Sequence, residues 1–342
     1  MTIISEHWNQ YLSLYKPEQK DAYYTEEYVK LYETDSERAL CYVYTEGDNC
    51  FLMPFLSRSF SHKGETYYDF ETAYGYGGPI YNTDDANFIQ NAWSAFMKYA
   101  NDNHYVCGFV RFHPLLNNVE GFEKVGKLFL DRKTVAIDLS EGIDAAWMNE
   151  IHTKNRNVIK KGEKNGLEFI VDDNFERLPE FIDLYNSTMD KLSAEDFYYF
   201  QNSYYENLKT NIKDSFLGLV EIQGKVIAAA IFFYSLPYGH YHLAGSDRTA
   251  LSLSPNNFLL WKAAKELAGR GVQKFHLGGG TDGREENSLF QYKRKFSKSE
   301  YQFSFGKLMF NQEVYDSVVA EWEEKNPDKA EKLKHILLKY KY

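Results

Sequence analysis

The chain is poor in cysteine and in long apolar runs, and it has no excess of positive charge. Its three cysteines, Cys41, Cys50 and Cys107, form no C-x-x-C pair and leave an odd count in 342 residues. That pattern excludes a disulfide framework and a zinc knuckle, so they read as small buried hydrophobes and no metal site is expected. The longest purely apolar or aromatic run, Val226 to Tyr234, has nine residues. A bilayer span needs ~20, so no transmembrane segment is expected. The start, MTIISEHWNQYLSLYK, has no basic stretch leading into an apolar one, and the expected location is cytoplasmic. A formal net charge of -10 argues against coating DNA through a broad basic surface. A local basic site is compatible with it.

What is present is enough apolar sequence, 44% of the chain, to bury two cores at the usual domain size of about 150 residues. Aromatic residues reach 17%, with 28 tyrosines. They suit stacking on bases or sugars, but strands favour them, and most belong to cores.

A layout recurs along the chain. The first half reads as a hairpin around Gly47 (CYVYTEGDNCFLMPFLSR), a strand YYDFETAYGYGGP, a helix FIQNAWSAFMKYANDN and a strand VCGFVRFHP. The second half repeats the order, with a hairpin around Gly224 (FLGLVEIQGKVIAAAIFFYS), then YGHYHLAGSD, the helix NFLLWKAAKELAGRG and the strand KFHLGGG. Alternating or short apolar runs give the strands, and 3.6-residue apolar spacing gives the helices. Two more amphipathic helices, LPEFIDLYNSTMDKL and DFYYFQNSYYENLKTNI, precede the second copy, and Gly269 and Gly271 end its helix. The expected boundary lies near Ser140, where TVAIDLS gives way to one long polar helix, DAAWMNEIHTKNRNVIKKGEKNG. The last thirty residues read as a charged helix pair, broken at Pro327 and packed on the second domain.

Within HLGGGTDGREENSLFQYKRKF, Gly278, Gly280 and Gly283 spell G-x-G-x-x-G. A dinucleotide fingerprint opens a βαβ unit, whereas this one is followed by a single convincing strand, YQFSFGKLMF, and then helix. A P-loop fails as well, because Arg284 follows Gly283. The glycines read instead as a bend needing positive φ at several residues. Lys293, Arg294 and Lys295 then concentrate positive charge in an acidic protein, which suggests an anionic ligand.

Taken together, YYDFETAYGYGGP, FVRFHPLLNN, KNRNVIKKGEKNGL, LYNSTMDKLSAEDFYYF and HLGGGTDGREENSLFQYKRKFS resemble the FemAB family, from about Tyr23 to Phe310. The resemblance implies an α/β (α+β) fold of two GNAT-like domains in tandem, each a mixed sheet flanked by helices. The expected divisions are residues 1–140, 141–310 and a C-terminal helical extension, 311–342. It further implies an enzyme that moves an aminoacyl group from aminoacyl-tRNA, or an acyl group from a thioester such as acyl-CoA, to a small-molecule or peptide amine. A cell-wall peptide precursor is the acceptor in the best-known members, so transient contact with a membrane-linked precursor is expected. No permanently bound cofactor is expected. The coiled-coil arm of some members is absent.

Such a transfer needs a deprotonated amine, a stabilised oxyanion and alignment of the reactants. No G-x-S-x-G elbow is present, and no covalent intermediate is required. For charge stabilisation the resemblance points to Lys293, in the aromatic-Lys-x-x-Phe stretch QYKRKF. For the base, the carboxylates near AYGYGGP are Asp69 and Glu71, or Asp84 and Asp85; the family's acid after Gly-Pro is replaced by Asn82. Asp69 is taken as the catalytic candidate, with a structural turn role as its alternative. Arg156, Lys160 and Lys164 share one helical face suited to phosphates of tRNA, a nucleotide-linked precursor or a coenzyme. Substrate binding is expected at Arg156, Lys160, Tyr74, Arg111, Gly279 and Arg294. His240 and His242 alternate on a strand and suit packing or a substrate hydrogen bond. His113 and Arg111 either line a cleft or pair with acids.

Two donors remain open. Binding of coenzyme A in the usual way asks for a glycine-rich loop before the helix near Asn257, where the sequence is LSLSPNNF with Ser254 as a capping residue. Lack of glycine there favours aminoacyl-tRNA. A non-catalytic module recognising a nucleotide-sugar or peptide is the reading from another class.

Overall fold

The structure is a computed structural model and describes residues 1–192 and 199–342. Its strands in chain order are β1 (Thr2–Ser5), β2 (Glu37–Glu46), β3 (Asn49–His62), β4 (Glu65–Glu71), β5 (Ile80–Tyr81), β6 (Tyr105–Arg111), β7 (Lys127–Asp138), β8 (Glu168–Asp172), β9 (Ser215–Ile222), β10 (Lys225–Ser235), β11 (Tyr238–Ser246), β12 (Lys274–Gly279) and β13 (Glu300–Met309). The α-helices are α1 (Glu26–Lys30), α2 (Ala86–Asp102), α3 (Ile143–Asn149), α4 (Thr153–Lys164), α5 (Leu178–Leu192), α6 (Asn202–Asn211), α7 (Pro255–Gly269), α8 (Ser288–Lys293), α9 (Gln312–Lys325) and α10 (Pro327–Lys332). Residues 193–198, the start of the expected helix DFYYFQNSYYENLKTNI and part of SAEDFYYF, lie outside the described residues.

Two compact units result: residues 1–131 with 302–342, and residues 132–301. The boundary expected near Ser140 therefore falls earlier, inside β7. Residues Thr134–Asp138 of that strand form an antiparallel ladder with β12, and this pairing assigns them to the second unit. Nor do residues 311–342 stand apart or pack on the second unit. Leu337, Leu338, Tyr315 and Tyr340 cluster with Cys107, Phe109 and Met309 of β6 and β13, and so belong to the first.

In the first unit the sheet runs β1-β2-β3-β4-β6-β13, with the short β5 on β3. β4 and β6 are parallel and the other pairs antiparallel. Asp85 starts α2 by accepting from the backbone N–H of Asn87 and Phe88, an N-cap bond that satisfies otherwise unpaired donors. The helix then buries Phe88, Ile89, Ala92, Trp93, Phe96 and Ala100, a stripe at helical spacing. It packs on Phe51, Phe55, Phe70 and Val110.

The second unit repeats that plan in the order β7-β12-β11-β10-β9-β8. α5 and α7 both contact β10, and its run from Val226 to Phe233 is buried throughout, as a strand covered on both faces requires. Leu267 and Ala268 carbonyls at the end of α7 accept from Val272 and Gly271 N–H at 3.0 Å each. With Gly271 at φ 93°, this is a left-handed helix stop. The expected long polar helix is two, α3 and α4, broken at Glu150–His152. All three cysteines are buried and free.

Candidate active site

The second unit contains a forked parallel pair. β11 and β12 pair only through Tyr238–His240 and Lys274–His276. Beyond that point β11 stays with β10 as far as Ser246, while β12 stays with β7 as far as Gly279. Each strand carries a register shift where they part: Ile231 faces Leu243 and Phe232 faces Tyr241, skipping His242. On β12, Ala136 faces His276 and Val135 faces Gly278, skipping Leu277. An extra residue bends a strand and unpairs it locally, so the two bulges bend the parting strands at the fork.

Lys293, the last residue of α8, links the two prongs. Its Nζ donates to the Gly279 carbonyl of β12 at 2.8 Å and lies 5.9 Å from the ring centre of Tyr241 on β11. The side chain is buried at 7% exposure and forms no ion pair with a carboxylate among the described residues. Burial, reinforced by the nearby Arg132 guanidinium, lowers its pKa to about 7. An amine in that range exchanges a proton readily at neutral pH.

The glycine stretch places that lysine through close approach more than through unusual backbone. Gly278 has positive φ, 75°, but Gly279, Gly280 and Gly283 do not, so the expected bend with several positive-φ residues is reduced to one. A Cβ on Gly279 would lie 2.8 Å from the Lys133 carbonyl oxygen, and one on Gly280 would lie 2.4 Å from Asn287 Oδ1. Asn287 is the N-cap of α8, accepting from Leu289 and Phe290 N–H at 3.1 and 3.2 Å. Glycine at 280 thus lets β12 lie against the cap that fixes the helix carrying Lys293.

Other residues singled out in the sequence are engaged elsewhere. Arg294 pairs with Glu300 at 2.8 Å. Arg156 donates to the Trp147 and Met148 carbonyls at 2.9 Å each, closing the end of α3. Lys160 lies 5.8 Å from the Trp147 ring centre, and Lys164 is exposed. His240 and His276 rings are 5.6 Å apart. Burial and, to a lesser extent, His240 push the His242 pKa down to about 3, and its Nε2 is 2.6 Å from the Tyr204 hydroxyl. Ser254 sits at the start of α7 in the left-handed region without a side-chain cap bond, so it does not cap as expected.

In the first unit, Asp69 is 1% exposed and is held by Arg58, whose Nε donates to Oδ1 at 3.0 Å and whose Nη2 donates to Oδ2. Both oxygens are engaged by one guanidinium. Arg111 donates to Glu71 at 2.9 Å and to the Thr72 carbonyl at 2.6 Å. Tyr74 offers its carbonyl to the Tyr28 hydroxyl at 2.7 Å. His113 Nε2 lies 2.9 Å from Asp21, both side chains fully buried. Asn82 accepts from Cys50 N–H at 2.7 Å, a turn role.

Arg132 was not signalled by any sequence pattern. It opens the second unit's part of β7 and donates to the Gly280 carbonyl at 2.9 Å, a contact across 148 positions that a single sequence does not display.

These features agree with known proteins in one respect. Residues 151–294, which include β11, α7, β12 and α8, match the family described as an acetyltransferase (GNAT) domain. The fold is also that of FemX: TM-score 0.71, 13% identity, covering 92% of this chain and 99% of FemX. Its architecture is that of FemX, on a GNAT-type fold. The chain further resembles the C-terminal domain of a putative lysylphosphatidylglycerol synthetase from Agrobacterium fabrum, with TM-score 0.55, 14% identity and coverage of 88% and 92%. A tandem GNAT protein from the clavulanic acid biosynthesis pathway gives TM-score 0.52 at 8% identity, covering 91% of this chain and 99% of that protein. No curated protein matches the sequence. No helix among the described residues is long and apolar enough to cross a membrane.

Proposed function

We propose that this FemAB-like chain is an acyltransferase that moves an aminoacyl group from aminoacyl-tRNA to an amine, with its reaction centre at the fork of the second unit. The observation that carries this reading is Lys293, a buried amine with a pKa near 7 set between the parting strands of a GNAT-type domain. The neutral form of Lys293 takes a proton from the attacking amine as its nitrogen bonds to the acyl carbon. The resulting ammonium then stands beside the developing oxyanion, where positioned charge contributes most. On collapse the leaving hydroxyl, or thiol for a thioester donor, takes the proton back. The family resemblance makes a cell-wall peptide precursor the first acceptor to try. A cytoplasmic location suits both donors.

The preference for tRNA over coenzyme A rests on the start of α7. Pro255 has no N–H, and those of Asn257 and Phe258 both turn back to the Ser254 carbonyl, at 3.1 and 3.4 Å. A helix start holds a pyrophosphate through unengaged N–H groups, and this one offers few. The test is transfer of label to a panel of amine acceptors from charged tRNAs and from acyl-coenzymes, with wild type and Lys293→Met. Label transferred from tRNA by wild type alone is the expected result. Transfer from acyl-CoA alone would reverse the donor assignment, and no transfer from either donor would favour the binding-module reading.

A further inference from the structure

Two adjacent carbonyls close β12, and each holds a cation from a different element: Gly279 accepts from Lys293 of α8 and Gly280 from Arg132 of β7. The stem of Arg132 lies along the same peptide, since a Cβ on Gly279 would come within 3.2 Å of its Cδ. One short backbone segment therefore fixes both the direction of the Lys293 amine and the position of a second positive charge beside it. We propose that Arg132 is a positioning residue for acyl transfer, orienting the Gly279–Gly280 carbonyls that hold Lys293 and setting a second positive charge on the same backbone segment. What the amine then does rests on the function proposed above; its titration does not.

The surroundings leave that task to Arg132. A guanidinium stays protonated at every working pH, and a nearby like charge disfavours the charged form of an amine. From β11, Tyr241 faces Lys293 with a phenol that burial holds well above its ordinary value. Tyr292, its neighbour on α8, is likewise raised by burial and then by Tyr241. Both phenols are therefore neutral across the range in which the lysine titrates. Two acids of this part of the unit are engaged by other cations: Glu300 by Lys133 at 2.9 Å and Arg294 at 2.8 Å, and Glu285 by Lys133 at 3.5 Å.

The experiment titrates Lys293 directly, by the pH dependence of its acylation with a soluble amine-reactive ester, read by peptide mass spectrometry. Wild type is compared with Arg132→Gln, Arg132→Met and Arg132→Lys, each checked by thermal melting. The Met variant keeps the apolar stem if Gln does not fold. Loss of the charge should raise the midpoint by about one pH unit or more, and Arg132→Lys should restore it toward the wild-type value. A midpoint unmoved in a folded Gln or Met variant would overturn the proposal. The acidic limb of the kcat profile should shift with the midpoint. If wild type transfers from no donor, the proposed function fails while the titration still decides the role of Arg132.

Discussion

The two units run the same β-β-β-α-β plan, yet the parallel pair at its centre is forked in one and sealed in the other. In the second unit β11 and β12 part after three residues, and a buried lysine lies between the prongs. In the first, β4 and β6 pair from Tyr68 to Glu71 and from Tyr105 to Phe109, and bonding continues past the strand end. Thr72 N–H donates to the Phe109 carbonyl at 3.0 Å, and Arg111 N–H to Thr72 Oγ1 at 2.9 Å. Glu71 then takes Arg111 and Lys341 together. Burial raises its carboxyl, but the two cations more than offset that and hold it below the ordinary range. The lesson is that a repeated fold does not repeat a site: in the first unit charges meet partners, whereas in the second a cation is left without an anion.

The largest effect expected from breaking this contrast is at Lys293. Lys293→Met should cut kcat by about 10²- to 10³-fold with the fold retained by circular dichroism, whereas Lys341→Met in the sealed pair should lower the melting temperature and leave kcat as it was. Asp69→Asn should cost about 3 kcal/mol in urea unfolding, because it strands the buried Arg58 charge. A fall in kcat without that loss of stability would move the chemistry to the first unit. Gly280→Ala should push Asn287 from its place at the head of α8 and weaken the hold on Lys293, lowering kcat by about tenfold, with a stability loss of about 1 kcal/mol from the damaged cap.

A further effect is a slope with pH. Because Lys293 has a pKa near 7 in the folded chain against an ordinary 10.5, the unfolded chain binds more protons between those values. Unfolding free energy should therefore rise with pH from about 7 toward 10. Below 7 the lysine is charged in both states and the contribution is flat. Melting curves of wild type and Lys293→Met should diverge in that window; parallel curves would mean that the amine is not depressed.

Much of the fold was legible because its signals are local. Hairpins at Gly47 and Gly224, the α2 and α7 stripes and the stop at Gly271 each depend on residues within one or two turns of each other. The break between α3 and α4 was missed because Glu150, Ile151 and His152 fill it without a proline or glycine to mark it. Of the proposed site, only Lys293 was legible, where an aromatic-Lys-x-x-Phe stretch coincides with a family resemblance. Arg156 and Arg111 have the composition of ligand-binding cations but spend their donors on the Trp147 and Thr72 carbonyls, which no spacing rule announces.

The sequence by itself determined the repeated layout, the two cores and the absence of a nucleotide-binding βαβ context around the glycines, since these follow from periodicity and from what precedes and follows each segment. Tertiary structure alone decided which parallel pair opens and that Lys293 lies buried at the fork without a carboxylate partner among the described residues. Those outcomes turn on strand register at His242 and Leu277, and on Arg132 of the paired strand β7 meeting Gly280. Register and long-range partners are fixed by packing between distant segments, so neighbouring residues in the chain carry no record of them.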